Sequence, residues 1–181
     1  MSKIDGERAF LSVNVAVLTV SDSRTEANDT SGKTLVELIT KDGHKVVDKR
    51  IVTDDKDRVV DQLRHWINDP EVDVVISTGG TGLTGRDITA EAFQSVYEKE
   101  ITGFGELFRH LSFAKIGTST IQSRATGGVA HGTYLFALPG STSACRDAWE
   151  DILRWQLDSR HLPCNLVELM PRLMEHIKAH H

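Results

Sequence analysis

The residues best suited to chemistry lie in Ser77-Thr78-Gly79-Gly80-Thr81-Gly82-Leu83-Thr84-Gly85-Arg86-Asp87, which follows the apolar run Val72-Asp73-Val74-Val75-Ile76. Glycine lacks a Cβ, so the chain there can adopt positive φ and a ligand can approach bare backbone N–H groups. Such N–H groups bind oxyanions, and phosphate is the first to consider. Asp87 is the carboxylate that would hold Mg²⁺ beside the collected phosphate oxygens, neutralising charge in a phosphoryl or nucleotidyl transfer. Asp54, after Ile51-Val52, is placed to join it. The plainer reading of both aspartates is a helix cap.

Three resemblances to phosphate motifs compete here. Gly80, Gly82 and Gly85 match the spacing of a dinucleotide fingerprint, which gives an NAD-dependent oxidoreductase as an alternative. In that fingerprint the helix begins within the glycine run, whereas Arg86-Asp87 follows this one. Ala27 to Thr34 and Gly80 to Asp87 each approach a P-loop but lack, respectively, its first glycine and its Lys-Ser/Thr ending. Ser31-Gly32-Lys33-Thr34 is then either an ordinary helix start or an anion-binding one.

The flanking pattern predicts the elements that hold these residues. Val13 to Val20 is β-branched and almost continuously apolar, as in a central strand covered on both faces. Helical spacing of Leu35, Leu38 and Ile39 follows, stopped by Gly43. Val46-Val47 with Ile51-Val52 marks a second strand. Thr53-Asp54-Asp55 supplies N-cap chemistry for a helix with Val59, Val60, Leu63 and Ile67 on one face. Strand and helix alternate three times before the glycine stretch, which predicts βαβ units and a mostly parallel sheet. In such sheets ligands sit beyond the carboxyl ends of the strands, where Ser21, Asp54 and Thr78 emerge. Helices are expected over 90–97 and 103–111, and an irregular stretch from Lys115 to His131 with a bend or bulge at Gly127-Gly128. A strand is expected over 133–138, and Pro139-Gly140-Ser141-Thr142 opens another helix. A C-terminal helix follows Pro163, interrupted at Pro171.

The 181 residues carry 21 basic and 26 acidic side chains, a formal charge of -5 without a basic stripe, so no nucleic-acid partner is expected. Arg24, Lys33, Arg86 and Arg124 lie near small-residue turns, either to attract an anion locally or as ordinary surface charges. No apolar run approaches the roughly 18 residues of a membrane span, and the charged start carries no leader-like stretch, so a cytoplasmic protein without membrane attachment is expected. Cys145 and Cys164 are read as packed, reduced thiols. The histidines form no ligand cluster.

Taken together, Leu18 to Ser23, Asp29-Thr30-Ser31-Gly32, Ser77 to Leu83 with Arg86-Asp87, Gly103-Phe104-Gly105-Glu106, Ser123-Arg124 and Leu138 to Thr142 resemble the molybdenum cofactor biosynthesis MoaB/MogA family, in the same order. Ile116 to Ala125 and Pro139 to Arg146 are similar to its MoaB branch. The resemblance spans about residues 10–165 of a unit taken to run over 1–181. It implies a three-layer α/β/α fold, a trimer or hexamer, and Mg²⁺-dependent adenylation of molybdopterin by ATP. It further implies that Thr78, Gly79, Gly80, Thr81 and Gly82 bind the molybdopterin phosphate, with Pro139, Gly140 and Ser141 on the opposite wall. Ser21, Asp22, Ser31 and Gly32 would face the nucleotide, and Asp54 and Asp87 match the family's catalytic carboxylates, Asp87 as the metal ligand. A molybdopterin carrier without turnover is the other function the resemblance allows.

Overall fold

In the computed structural model, which describes residues 3–178, a short strand β1 (Lys3–Ile4) precedes the central strand β2 (Asn14–Val20). Every residue of β2 after Asn14 is buried, because helices cover both of its faces. Helix α1 (Thr30–Lys41), β3 (Lys45–Val52), α2 (Lys56–Ile67) and β4 (Val74–Thr78) complete the first half. Then come α3 (Thr89–Gln94), β5 (Lys99–Glu100) and α4 (Thr102–Ile116), with a 3₁₀ turn over Gly117–Gln122. After β6 (Thr126–Ala130) and β7 (Thr133–Leu138), α5 (Thr142–Ala148) runs through a π-helical segment, Trp149–Leu153, into α6 (Arg154–Gln156). The chain closes with β8 (His161–Leu162), α7 (Leu166–Leu169), a 3₁₀ turn over Met170–Arg172 and α8 (Glu175–Lys178).

The main sheet has six strands in the order β3-β2-β4-β7-β6-β5. β3, β2, β4 and β7 are parallel, and β6 and β5 add an antiparallel edge. Side chains alternate across the sheet with the two-residue period of a strand. Val15, Val17, Val74, Ile76, Tyr134 and Phe136 pack against α1, α4 and α5. Ala16, Leu18, Val75, Leu135 and Ala137 pack against α2 and α3 on the other side. The result is the expected three-layer α/β/α arrangement with a mostly parallel sheet.

Several expectations shift in detail. Gly127 and Gly128 form no bend: both lie inside β6, where a Cβ on Gly127 would stand 2.8 Å from the Phe136 ring and one on Gly128 2.4 Å from that of Tyr97. These glycines make room for aromatic packing. The helix expected to end at Leu111 continues to Ile116, and the one expected over 90–97 covers only Thr89–Gln94. The segment after Pro163 divides into α7, a 3₁₀ turn and α8, since Pro171 removes a backbone donor. Residues 1–2 and 179–181 of the expected unit lie outside the described residues. Cys145 is packed, whereas Cys164 is exposed.

In register, Thr19 stands opposite Thr78 and Thr78 opposite Leu138. The loops leaving β2, β4 and β7 therefore emerge side by side at one edge, and the candidate site is built there.

Candidate functional site

Gly79 and Gly80 turn the chain sharply out of β4, with φ of 100° and 66°. A Cβ on Gly79 would stand 2.3 Å from the Val20 carbonyl oxygen, and one on Gly80 2.3 Å from Thr89 Oγ1. Both conformation and space therefore demand glycine. The Gly79 N–H donates to Leu138 O at 3.0 Å, tying this loop to the end of β7. Loop carbonyls are also occupied: Gly80 O accepts from the Thr89 N–H at 2.9 Å and Thr81 O from the Arg124 N–H at 3.1 Å. The Arg124 side chain donates to Gly82 O at 2.7 Å and to Asp87 O at 3.0 Å, and its guanidinium also pairs with Glu91. Among the described residues the N–H groups of Gly80 and Thr81 have no partner. Anchored carbonyls and free N–H groups make an anion cradle. Beneath it, the buried hydroxyls of Ser77 and Thr89 also lack partners.

Two clefts meet on this loop. The wider, about 450 Å³, runs from Gly80–Gly82 and Asp87 past Pro139, Gly140 and Ser141 to α4 and α5. The narrower, about 310 Å³, is lined by Ser21, Ser31, Asp54, Thr78, Gly79 and Arg86. Gly80, Asp87 and Gly140 line both. Each volume is within the range of sites for small ligands, and the shared wall would bring two ligands end to end. Ser141 is the N-cap of α5, accepting the Ala144 N–H at 3.2 Å. A Cβ on Gly140 would stand 3.3 Å from Gly79 Cα, so the two loops touch backbone to backbone.

Asp54 and Asp87 face this junction, and neither caps a helix. The cap of α2 is Asp55, whose side chain accepts the Arg58 N–H at 3.1 Å; α3 has no side-chain cap. Burial pushes the Asp54 carboxyl above its ordinary range, and the charge of Asp87 pushes it the same way. Burial also acts to raise Asp87, but hydrogen bonds from the Thr84 hydroxyl and N–H and from the Gly82 N–H, with the charge of Arg124, hold it below its ordinary range. The Thr84 contacts are 2.7 and 2.8 Å. Repulsion between adjacent carboxylates is relieved by a shared cation.

The remaining sequence-derived residues are placed unequally. Asp22 lines neither cleft: its carboxylate accepts the Asp54 N–H at 3.0 Å and pairs with Arg86, while its own N–H donates to Asp54 Oδ2 at 2.9 Å. It holds Asp54 in place. Gly32 is buried in α1, and its N–H donates at 3.0 Å to Asp29, the N-cap of that helix. Thr78 contributes backbone to the narrower cleft, since its hydroxyl is buried and donates to Pro139 O at 3.0 Å. Behind it lies the Cys145 thiol, pushed by burial up to about 11. Of the four cations, Arg124 clamps the loop, Arg86 pairs with Asp22, and Arg24 and Lys33 bond backbone carbonyls of their own segment.

Two groups escaped the sequence. Asp29, fully buried, accepts from Thr19 Oγ1 at 2.9 Å and pairs with Lys49 at 2.8 Å, fixing the helix start that carries Ser31. Its signal was a capping residue one position before Thr30-Ser31-Gly32. Lys115 and Asp147 line the far end of the wider cleft, 2.6 Å apart. The spacing of Phe108, Ser112 and Ile116, four residues apart, was the sign that α4 continues that far.

The family described as "Probable molybdopterin binding domain" matches residues 16–159. Molybdenum cofactor biosynthesis protein B of Escherichia coli K12 is 50% identical over 165 residues, covering 91% of this chain and 96% of that protein. The Bacillus cereus protein of the same name is 44% identical over 142 residues, 78% of this chain and 84% of that one. Among solved structures, a molybdenum cofactor biosynthesis protein B superposes with a TM-score of 0.83 at 38% identity, covering 93% of this chain and 99% of that one. The tungsten cofactor synthesizing protein MoaB from Pyrococcus furiosus gives 0.71 at 34% identity, with 91% and 96% covered.

Proposed function

The chain belongs to the molybdenum cofactor biosynthesis protein B family, and from that premise we propose that it binds molybdopterin in the wider cleft and ATP in the narrower one, joining them as adenylyl-molybdopterin. The observation that carries this reading is the meeting of the two clefts at Gly80, Asp87 and Gly140. Such a junction is what a condensation of two phosphate-bearing molecules requires.

The unpaired Gly80 and Thr81 N–H groups hold the terminal phosphate of molybdopterin, with Pro139, Gly140 and Ser141 as the facing wall. Ser21, Ser31 and the Gly79 backbone line the side taken by the nucleotide. A molybdopterin phosphate oxygen attacks the α-phosphorus of ATP; the bond from that phosphorus to the bridging oxygen breaks, and pyrophosphate leaves. Holding both reactants at one junction supplies most of the advantage, since proximity and orientation replace a bimolecular encounter. The nucleophile is already an anion, so no general base is needed. Among the described residues no group of three or more His, Cys, Asp or Glu side chains is gathered to hold a metal. Mg²⁺ asks for less, one or two carboxylates completed by phosphate oxygens and water, and Asp87 with Asp54 fits that donor set. When bound there it neutralises charge on the departing pyrophosphate.

Leu107, Phe113, Ile116 and Ile121 expose apolar surface on α4 and the 3₁₀ turn that follows it, which supports assembly as a trimer or hexamer. Consumption of ATP and two unpaired cysteines fit a cytoplasmic setting. No helix among the described residues is long and apolar enough to cross a membrane.

Calorimetry tests the two-cleft reading. Molybdopterin titrated into protein saturated with a non-hydrolysable ATP analogue and Mg²⁺ should bind with affinity within a few-fold of that for the free protein. Mutually exclusive binding would show that one cleft serves both and would overturn the reading.

A further inference from the structure

The far end of the wider cleft carries a polar pair for which phosphate chemistry has no use. α4 presents Phe108, Ser112, Lys115 and Ile116 along one face, at the i, i+4, i+7 and i+8 positions of a helix. α5 presents Ser143, Ala144 and Asp147 in the same way. Asp147 lies six residues beyond the N-cap Ser141, so it stands about 9 Å from that wall residue along the helix axis. The apolar part of the wall is supplied by Phe108, Ile116 and Ala144, interleaved with Ser112 and Ser143.

At that end Lys115 Nζ donates to Asp147 Oδ1 at 2.6 Å and lies 3.5 Å from Asp151 Oδ2. An ammonium has three protons and a carboxylate about four acceptor positions, so the pair is not saturated by its own contacts. Asp147 Oδ2 accepts no hydrogen bond among the described residues, and the Asp147 side chain is 29% exposed, facing the cleft. The pair therefore offers two acceptors beside one donor at the end of an apolar slot. A 2-amino-4-oxopyrimidine edge presents the complement: an exocyclic amine and a ring N–H as adjacent donors, then a carbonyl acceptor. We infer that Asp147 and Lys115 read the pyrimidinone edge of the pterin, Asp147 accepting from N2 and N3 and Lys115 donating to O4, and so set specificity for a pterin. This rests on the reading of the wider cleft as the molybdopterin side.

The test compares two fluorescent probes, 6-hydroxymethylpterin and 6-hydroxymethyllumazine. They differ at position 2, an amine in the first and a carbonyl in the second, which also carries a proton on N1, and they share the N3–H and O4 groups. The full-length wild type should prefer the pterin by about 10- to 100-fold, the range expected for a hydrogen bond to a charged acceptor. Asp147→Asn keeps the size of the side chain and an acceptor for Lys115 but turns one oxygen into a donor. It should remove most of the preference, with affinity for ATP unchanged. Equal weakening of both probes would mean a structural role and overturn the inference, as would a wild type that binds molybdopterin but does not distinguish the probes. If the wild type fails to bind molybdopterin at all, it is the assignment of the cleft that fails.

Discussion

A methyl group at Gly80 would stand 2.3 Å from Thr89 Oγ1, at a φ of 66° that L side chains avoid. Gly80→Ala should therefore cost about 1–2 kcal/mol in backbone strain, lowering the melting temperature by about 2–8 °C. It should also abolish measurable binding of the molybdopterin phosphate. Thermal unfolding and calorimetry on one preparation check both parts. The carboxylates lend themselves to a similar separation. Asp87→Asn can still accept from Thr84, so the loop should keep its shape and its molybdopterin affinity while adenylyl transfer falls by about 10²–10³-fold. Residue identity alone left Asp54 and Asp87 divided between site and helix cap. Two adjacent aspartates, Asp54 and Asp55, precede α2, and only the backbone path decides which side chain turns to Arg58 and which to the cleft.

Elements fix the geometry that these residues need, and Asp29 shows how. It caps α1, holds the buried end of Lys49 and is itself wholly buried. Removing one partner of a buried pair leaves the other uncompensated, so Asp29→Ala should destabilise the protein by about 3 kcal/mol at pH 7. Burial acts to raise the Asp29 carboxyl, but bonds from Lys49, Gly32 and Thr19 outweigh it and hold it below its ordinary 3.8. A carboxyl lowered by folding adds stability above its unfolded value, and that stability is lost as pH falls through the folded one. The gap between wild type and Asp29→Ala should therefore narrow below about pH 4 in urea melts. Arg124 is the second such device: Arg124→Met frees the carbonyls of Gly82 and Asp87 and should weaken phosphate binding about tenfold or more while leaving the sheet intact. Strands β2, β4 and β7 were legible because they are fully covered and read as apolar runs. The tail of α4 was not, since its cleft-lining face mixes Ser112 and Lys115 with Ile116 and its other side leaves Phe113 exposed. An amphipathic pattern fades when a helix borders a cavity instead of a core. Gly127 and Gly128 misled for a related reason: the aromatic rings that require them come from Phe136 and Tyr97, distant in sequence or on another element.

For the whole molecule, alternation of strand and helix was enough to expect three layers, because a parallel sheet leaves no other place for its crossover helices. Of the antiparallel edge, β6 lay hidden in the stretch that read as irregular, and β5 in the short gap between two expected helices. The proposed assembly rests on the apolar surface that the fold leaves bare. Ile121 is 76% exposed and Phe113 58%, so Ile121→Lys together with Phe113→Lys should reduce the molar mass measured by light scattering from an oligomer toward the monomer. The measurement closest to the central claim is a single turnover of purified protein with molybdopterin, ATP and Mg²⁺, following AMP on the pterin phosphate and free pyrophosphate together. Stoichiometric formation of both, lost in Asp87→Ala while molybdopterin still binds, is the predicted result. Tight molybdopterin binding with neither product formed by the wild type would contradict it, and would make the protein a carrier of the pterin instead of an enzyme acting on it.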